Sequence, residues 1–301
     1  WTGIAAAFQR KVEVLSKADL LLCGGERQAW YFRQAAALAG YDPLQPLPLC
    51  PVPMAVEADL IRERAYPQEP IFVYAGGLYP WQDPTFGMQC VLEAIKRHGR
   101  GYLYWYGGSP RTTPGDVRRD SYIQLLLNGS ERTRSQGFLP FPQFCSELRR
   151  CSVSLETMAP NMERELAVTT RTILHLALGL PVLYNDYGEL GATIRDGEAG
   201  WVLRHGDRDA MHAALNQIFE SPDEVRRRGA NAQRLARERF TIEATCRPLV
   251  DFAANPVFRA NKQAVAKGLG GLTPGELRLL RALRAPLWRP VRSAFGRFFR
   301  T

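Results

Sequence analysis

IFVYAGGLYPWQDP, residues 71–84, decides the fold. Its first five residues are β-branched, aromatic or small, Gly76 and Gly77 then break the run, and the Pro-bounded segment YPWQDP leads into a helix-forming stretch. A short apolar run closed by glycine reads as a buried strand, and a strand that turns through glycine into a helix is one half of a βαβ unit. GYLYWYGGSP (101–110) repeats the pattern after an intervening helical stretch at 85–98. Helices are also expected near 120–127 and 143–150, and strands at 151–155, 181–185 and 200–204. Strands alternating with helices predict an α/β fold built on a doubly wound parallel sheet.

Toward the amino end, YDPLQPLPLCPVPM (41–54) carries five prolines, a density expected to exclude regular structure and to mark a linker. In front of it, helical spacing at 4–17, a short strand at 18–23 and a helix from about Glu26 are too little for a domain. The chain starts at Trp1 inside what reads as folded sequence, so an N-terminal truncation is expected. The predicted organisation is a domain remnant and linker at 1–52, a main domain at 53–256 and a tail at 257–301. The Arg-rich stretch at 223–240 reads as a solvated helix face.

The net charge of +9 lies wholly in the tail, where ten Arg or Lys stand against the single acid Glu276. Leu287, Trp288, Val291, Phe295, Phe298 and Phe299 share one helical arc, with Arg289, Arg292, Arg297 and Arg300 on the other. That pattern suits a helix lying on an anionic membrane surface through residues 287–300; the plainer alternative is a helix docked on protein. No recognition fold accompanies the charge, so no nucleic-acid partner is expected. No apolar run reaches the roughly 20 residues that span a bilayer. A protein peripheral on the cytoplasmic face of the inner membrane is the expectation. Six cysteines at 23, 50, 90, 145, 151 and 246 lack paired metal spacing and read as reduced, mostly buried thiols.

Ligands of open parallel sheets bind beyond the carboxyl ends of the strands. Gly76 and Gly77 would let a ligand approach the backbone there, with Trp81 as an apolar wall and Asp83 as an acceptor. The strongest local signal is TTRTILHLALGLPVLYNDYGEL (169–190). Thr169 or Thr170 can cap a helix whose amino end gathers free amides, Thr172 and the Arg171 guanidinium, an arrangement suited to a diphosphate. Asn185 to Glu189 is expected to form a polar turn before a second helix, beginning near 187, whose amides would aim at the same crevice. The alternative is an ordinary core helix with Arg171 paired to Glu163 or Glu165. Asp207 and Asp209 form a D-x-D pattern, but a helix start accounts for both acids, and no metal site is expected.

The order of the glycine turn, GFLP (137–140), MERE (162–165), ALGLPVL (177–183), YGEL (187–190) and EAGWVLRHGD (198–207) resembles the donor-binding domain of glycosyltransferase family 4. ADLLLCGGERQAWYF (18–32) is similar to the end of that family's acceptor domain, and the Thr-Arg-Thr element before GLP resembles a bacterial cell-surface polysaccharide branch that includes lipopolysaccharide synthesis. The resemblance implies the Rossmann-like GT-B architecture and transfer from a nucleotide-sugar donor to a glycan or lipid-linked acceptor, without a metal or further cofactor. It places Gly137, Phe138 and Leu139 at the nucleobase and Glu165, as a catalytic residue, at the donor sugar. Thr170, the catalytic Arg171, Thr172 and the turn Asp186, Tyr187, Gly188, Glu189 would surround diphosphate and sugar. Two departures stand out: the family's ribose-binding glutamate is replaced by Leu174, and PWQDP stands where a basic pair commonly follows the glycine turn. Leu174 supports a rival reading, a catalytically silent scaffold in a polysaccharide assembly complex. A nicotinamide dehydrogenase is disfavoured because no G-x-G-x-x-G follows a strand.

Overall fold

A computed structural model describes residues 4–42, 44–108 and 117–258. The chain divides into two compact units, the larger comprising Leu22–Trp30 and Cys50–Pro256. The first elements are α1 (Ile4–Lys17), β1 (Leu21–Cys23), α2 (Glu26–Leu38) and β2 (Leu49–Pro51), with β1 and β2 paired as a two-stranded sheet. In the smaller unit Leu15, Leu21, Ala35, Ala36, Ala39 and Tyr41 form a core of their own, and the Tyr41 hydroxyl is bonded to the carbonyls of Leu15 at 3.0 Å and Ala18 at 2.9 Å. The proline-rich stretch is therefore not wholly irregular. β2 forms inside it because a three-residue edge strand tolerates a proline that has no amide to donate.

The larger unit continues with β3 (Ile71–Ala75), α3 (Thr85–His98), β4 (Tyr102–Tyr106), α4 (Val117–Asn128), β5 (Thr133–Gln136), α5 (Phe141–Leu148) and β6 (Val153–Glu156). After these come α6 (Met162–Leu166), α7 (Thr170–Ala177), β7 (Val182–Asn185), α8 (Gly191–Asp196), β8 (Gly200–Leu203), α9 (Arg208–Glu220), α10 (Pro222–Arg239), α11 (Ile242–Thr245) and α12 (Arg247–Ala254). Six strands form one sheet in the order β5-β4-β3-β6-β7-β8, and every pairing is parallel. The chain winds outward from β3 through β4 to β5, then returns to the other side of β3 with β6. This is the doubly wound order, and its switch point lies between β3 and β6.

Side chains alternate across the sheet with period two. Phe72, Tyr74, Leu103, Trp105 and Leu155 bury one face under α3 and α9, while Val73, Ala75, Val182 and Tyr184 bury the other against α7 and α10. β5 was not foreseen, because TRSQ at the sheet edge has no apolar alternation; its register with β4, from Leu103↔Thr133 to Tyr106↔Gln136, holds it instead. The reading of 223–240 as a solvated face covers half of α10. Val225, Gly229, Ala232, Leu235 and Ala236 are buried, and Tyr66 fills the space a Gly229 side chain would take as its hydroxyl donates to the Gly179 carbonyl at 2.7 Å.

Asp207 caps α9 by accepting from the Ala210 amide at 2.9 Å, with Asp209 in the first turn, as expected of a helix start. All six cysteines are free thiols, four of them buried. Among the described residues no helix is long and apolar enough to cross a membrane. The amphipathic stretch at 287–300 lies outside the described residues, as does all of the tail except Val257 and Phe258.

Candidate functional site

At the switch point β3 runs out into Gly76 and Gly77, and β6 ends on Glu156. The turns after β3 and β4 are packed backbone to backbone. The Gly76 amide donates to the Tyr106 carbonyl at 2.9 Å, the Trp105 indole donates to the Gly76 carbonyl at 2.9 Å, and Gly107 sits at φ +146° with Gly76 against its Cα. Beyond these turns opens a cleft of about 500 Å³. Its walls come from the ends of β3 and β4, the loop after β5, α6 and the amino end of α7.

Arg171, in the first turn of α7, reaches across to the switch point. Its Nε donates to both carboxylate oxygens of Glu156 at 2.8 Å, and one terminal nitrogen, Nη1, donates to Gln82 Oε1 at 3.0 Å. The guanidinium carbon stands 5.3 Å from the centre of the Tyr74 ring. A Cβ on Gly76 would lie 2.6 Å from Nη1, so glycine at that position gives the arginine its place. The other terminal nitrogen, Nη2, is buried with no partner among the described residues, an arrangement that costs free energy unless something else accepts from it.

Glu156 is the residue that sequence reasoning missed. Its side chain is 1% exposed and it contacts His175 Nδ1 at 3.3 Å as well as Arg171. Burial works to raise its pKa, but Arg171 and His175 outweigh burial and hold the carboxyl below the usual carboxylate range. It is ionised at neutral pH, so the switch point holds a closed ion pair with one guanidinium edge left over. The partners that the alternative reading gave Arg171, Glu163 and Glu165, do not pair with it; Glu156 does. Glu163 binds Arg164 through Nε at 2.6 Å and Nη2 at 2.8 Å, and both residues line the cleft. Glu165 follows them on α6 as an exposed side chain.

Of the residues singled out in the sequence, the cleft gathers Gly76, Gly137, Phe138, Leu139, Thr170 and Arg171. Phe138 stands at its rim, 78% exposed. The others lie elsewhere in the same unit. Trp81 stacks on Tyr79 with centroids 5.0 Å apart, and Asp83 accepts from the Thr85 amide at 3.0 Å at the start of α3. The Gly77 carbonyl accepts from the Tyr74 hydroxyl at 3.1 Å. Thr172 is fully buried, its Oγ1 without a partner among the described residues. Thr169 holds the N-cap position of α7 but its side chain does not cap; its hydroxyl lies 3.3 Å from that of Tyr184.

The polar turn expected at 185–189 is present, but the helix after it begins later than 187. Residues 186–190 form a turn and α8 starts at Gly191, because the turn is held by the Tyr187 hydroxyl donating to the Met158 carbonyl at 2.9 Å and by Gly188 lying against the Tyr184 ring. Burial pushes the Tyr187 phenol well above its ordinary range, keeping it a proton donor. The Asp186 side chain is exposed, while its amide donates to the Leu203 carbonyl at 3.0 Å. The Glu189 carboxylate accepts from the amides of Glu26 at 2.7 Å and Arg27 at 3.1 Å, which caps α2 and commits that side chain. Of the two helix ends expected from the sequence to converge, that of α7 lines the cleft and that of α8 does not.

A family model described as Glycosyl transferase-like matches residues 92–251, just over half of the chain. A D-inositol 3-phosphate glycosyltransferase of Nocardia farcinica is 28% identical over 227 residues, which cover 74% of this chain and 48% of that protein. The chain thus spans about half the length of the curated relatives it matches. Among solved structures, sucrose-phosphate synthase of Thermosynechococcus elongatus superposes with a TM-score of 0.61 at 18% identity, over 83% of this chain and 61% of that one. Anabaena HepE in complex with UDP and glucose superposes with a TM-score of 0.55 at 16% identity, over 79% of this chain and 63% of that one. These likenesses place the sheet among the Rossmann-like domains of GT-B proteins.

Proposed function

The chain belongs to the glycosyl transferase-like family, and from that premise we propose that its cleft binds a nucleoside-diphosphate sugar whose glycosyl group passes to a glycan or lipid-linked acceptor in cell-surface polysaccharide synthesis. The observation that carries this is Arg171 at the wall of a switch-point cleft, with its Nη2 buried and without a partner among the described residues. A diphosphate there would complete the guanidinium's hydrogen bonds and lie at the amino end of α7 beside Thr170. The loop at Gly137, Phe138 and Leu139 takes the nucleobase, and acidic α6, with Glu165 and the cleft-lining Glu163, faces the donor sugar. The acceptor oxygen attacks the anomeric carbon as the bond to the diphosphate breaks. The domain's contribution is to hold the leaving group and stabilise its growing charge, with Arg171 in the part that a metal plays elsewhere. UDP and glucose in HepE, and the glycosyltransferase named in the Nocardia relative, support this class of ligand.

The scaffold reading keeps one specific observation. Leu174, at the place of the ribose-binding acid, is 7% exposed inside the apolar core, so α7 offers no carboxylate at that position. Thermal unfolding with UDP-, GDP-, ADP- and dTDP-sugars separates the two. At a ligand concentration 100 times Kd, binding adds about 2.7 kcal/mol of stability and raises the melting temperature by several degrees. We expect one donor class to do so; protection by none of them would favour the scaffold.

The tail extends the proposal to the membrane. Residues 287–300 would hold the protein on the anionic cytoplasmic face, next to a lipid-linked acceptor. The whole chain, and not a truncation ending at Arg259, is expected to sediment with anionic liposomes at moderate salt. Equal sedimentation of both would retire the membrane role.

A further inference from the structure

We infer that Glu156 is a built-in counter-anion, placed to hold Arg171 in position and to weaken its grip on a bound diphosphate. The inference rests on the reading of the cleft as a diphosphate site and adds the control of its strength.

A buried ion pair is a poor device for stability alone, since desolvation consumes most of what the charges gain and an apolar pair of similar volume does as well. Here Arg171 lines a cleft with Glu156 buried beside it, and the geometry of the pair is one-sided. Both Glu156 oxygens are drawn to Nε, Gln82 takes Nη1, and Nη2 is left over. The carboxylate is itself fixed from behind. His175 Nδ1 stands 3.3 Å from Glu156 Oε1 and 2.7 Å from Ser154 Oγ, and His175 and Ser154 are both fully buried. Glu156 therefore cannot swing away when a second anion arrives. An incoming diphosphate meets a cation already paired with a carboxylate, and feels that fixed negative charge just behind it in a medium that screens poorly. Attraction holds the ligand; repulsion from Glu156 keeps it from being held too tightly, which favours release of the nucleoside diphosphate left after transfer.

Calorimetry of the full 301-residue chain with UDP, GDP and inorganic pyrophosphate tests this. Glu156→Gln keeps the shape and an oxygen for Nε but removes the charge, and is expected to tighten binding about five- to tenfold, the scale of one close charge. A merely structural carboxylate would leave affinity unchanged or lower it, and either result overturns the inference. Should Glu156→Gln fail to fold, Arg171→Lys keeps the charge pair but not the fork. Its single ammonium, taken by Glu156, is expected to bind diphosphate less tightly than wild type but more tightly than Arg171→Ala, which leaves the carboxylate unopposed, and wild-type affinity in Arg171→Lys would overturn the inference too. Equal affinity of wild type and Arg171→Ala would instead remove the diphosphate site itself, so the two failures are distinct.

Discussion

Arg171→Ala is expected to lower diphosphate affinity roughly 30-fold or more, because it removes at least one charge-assisted hydrogen bond worth about 1.5–3 kcal/mol and its electrostatic pull. The same change leaves Glu156, 1% exposed, with no guanidinium beside it. Loss of one partner from a buried pair costs about 3–5 kcal/mol, so the variant should also melt well below wild type at neutral pH. The pH dependence separates this from a simple packing defect. In wild type the Glu156 carboxyl is held below the usual range, so its contribution is complete above the unfolded carboxylate pKa and fades as pH falls through the folded value. Without Arg171, burial has less opposing it and the carboxyl protonates at higher pH. The stability gap between variant and wild type should therefore narrow on acidification. Unchanged UDP and pyrophosphate affinity in a folded Arg171→Ala protein would end the phosphate assignment.

What the sequence disclosed follows what neighbours along a chain can encode. The run Ile71–Ala75, the Gly76 turn and the helix Thr85–His98 are local patterns of period and breaker, and all three stand where the spacing puts them. The place of Arg171 was legible for the same reason: a polar TTRT ahead of an apolar ILHLALGL marks a helix start after a strand. Its partner was not. Glu156 sits in VSLE, where alternation alone reads the acid as an ordinary strand end, and only the packing of α7 back against β6 brings it to an arginine 15 residues away. Glu189 was misread by the same blindness. As part of YGEL it looks like a ligand for the cleft, yet its carboxylate is taken by the amides at Glu26 and Arg27, over 160 residues earlier. Periodicity reports which face of an element is apolar; it carries no record of which distant amide or cation a lone carboxylate will meet.

The strand-end geometry makes its own demand at Gly107. A Cβ there would lie 2.2 Å from the Gly76 carbonyl oxygen and 2.7 Å from its carbon, and the φ of +146° is one that side-chain-bearing residues rarely adopt. Neither backbone can yield, for Gly76 is bonded to Tyr106 through its amide and to the Trp105 indole through its carbonyl, and the Gly107 amide donates to the Gln136 carbonyl at 3.1 Å. Gly107→Ala is therefore expected to cost about 3 kcal/mol or more, combining backbone strain with a contact that forces β3 and β4 apart at the floor of the cleft. Gly99→Ala is the control. Gly99 also has a positive φ, +64°, at the end of α3, but a Cβ there meets nothing within 4 Å, so the cost is conformational only, about 1 kcal/mol. Because Gly76 is the platform on which the Arg171 guanidinium rests, Gly107→Ala should also lose the stabilisation by UDP that Gly99→Ala keeps. If the two variants melted within about a degree of each other and both responded to UDP, at a few degrees per kcal/mol, the close approach of Gly76 and Gly107 would not be what shapes the cleft.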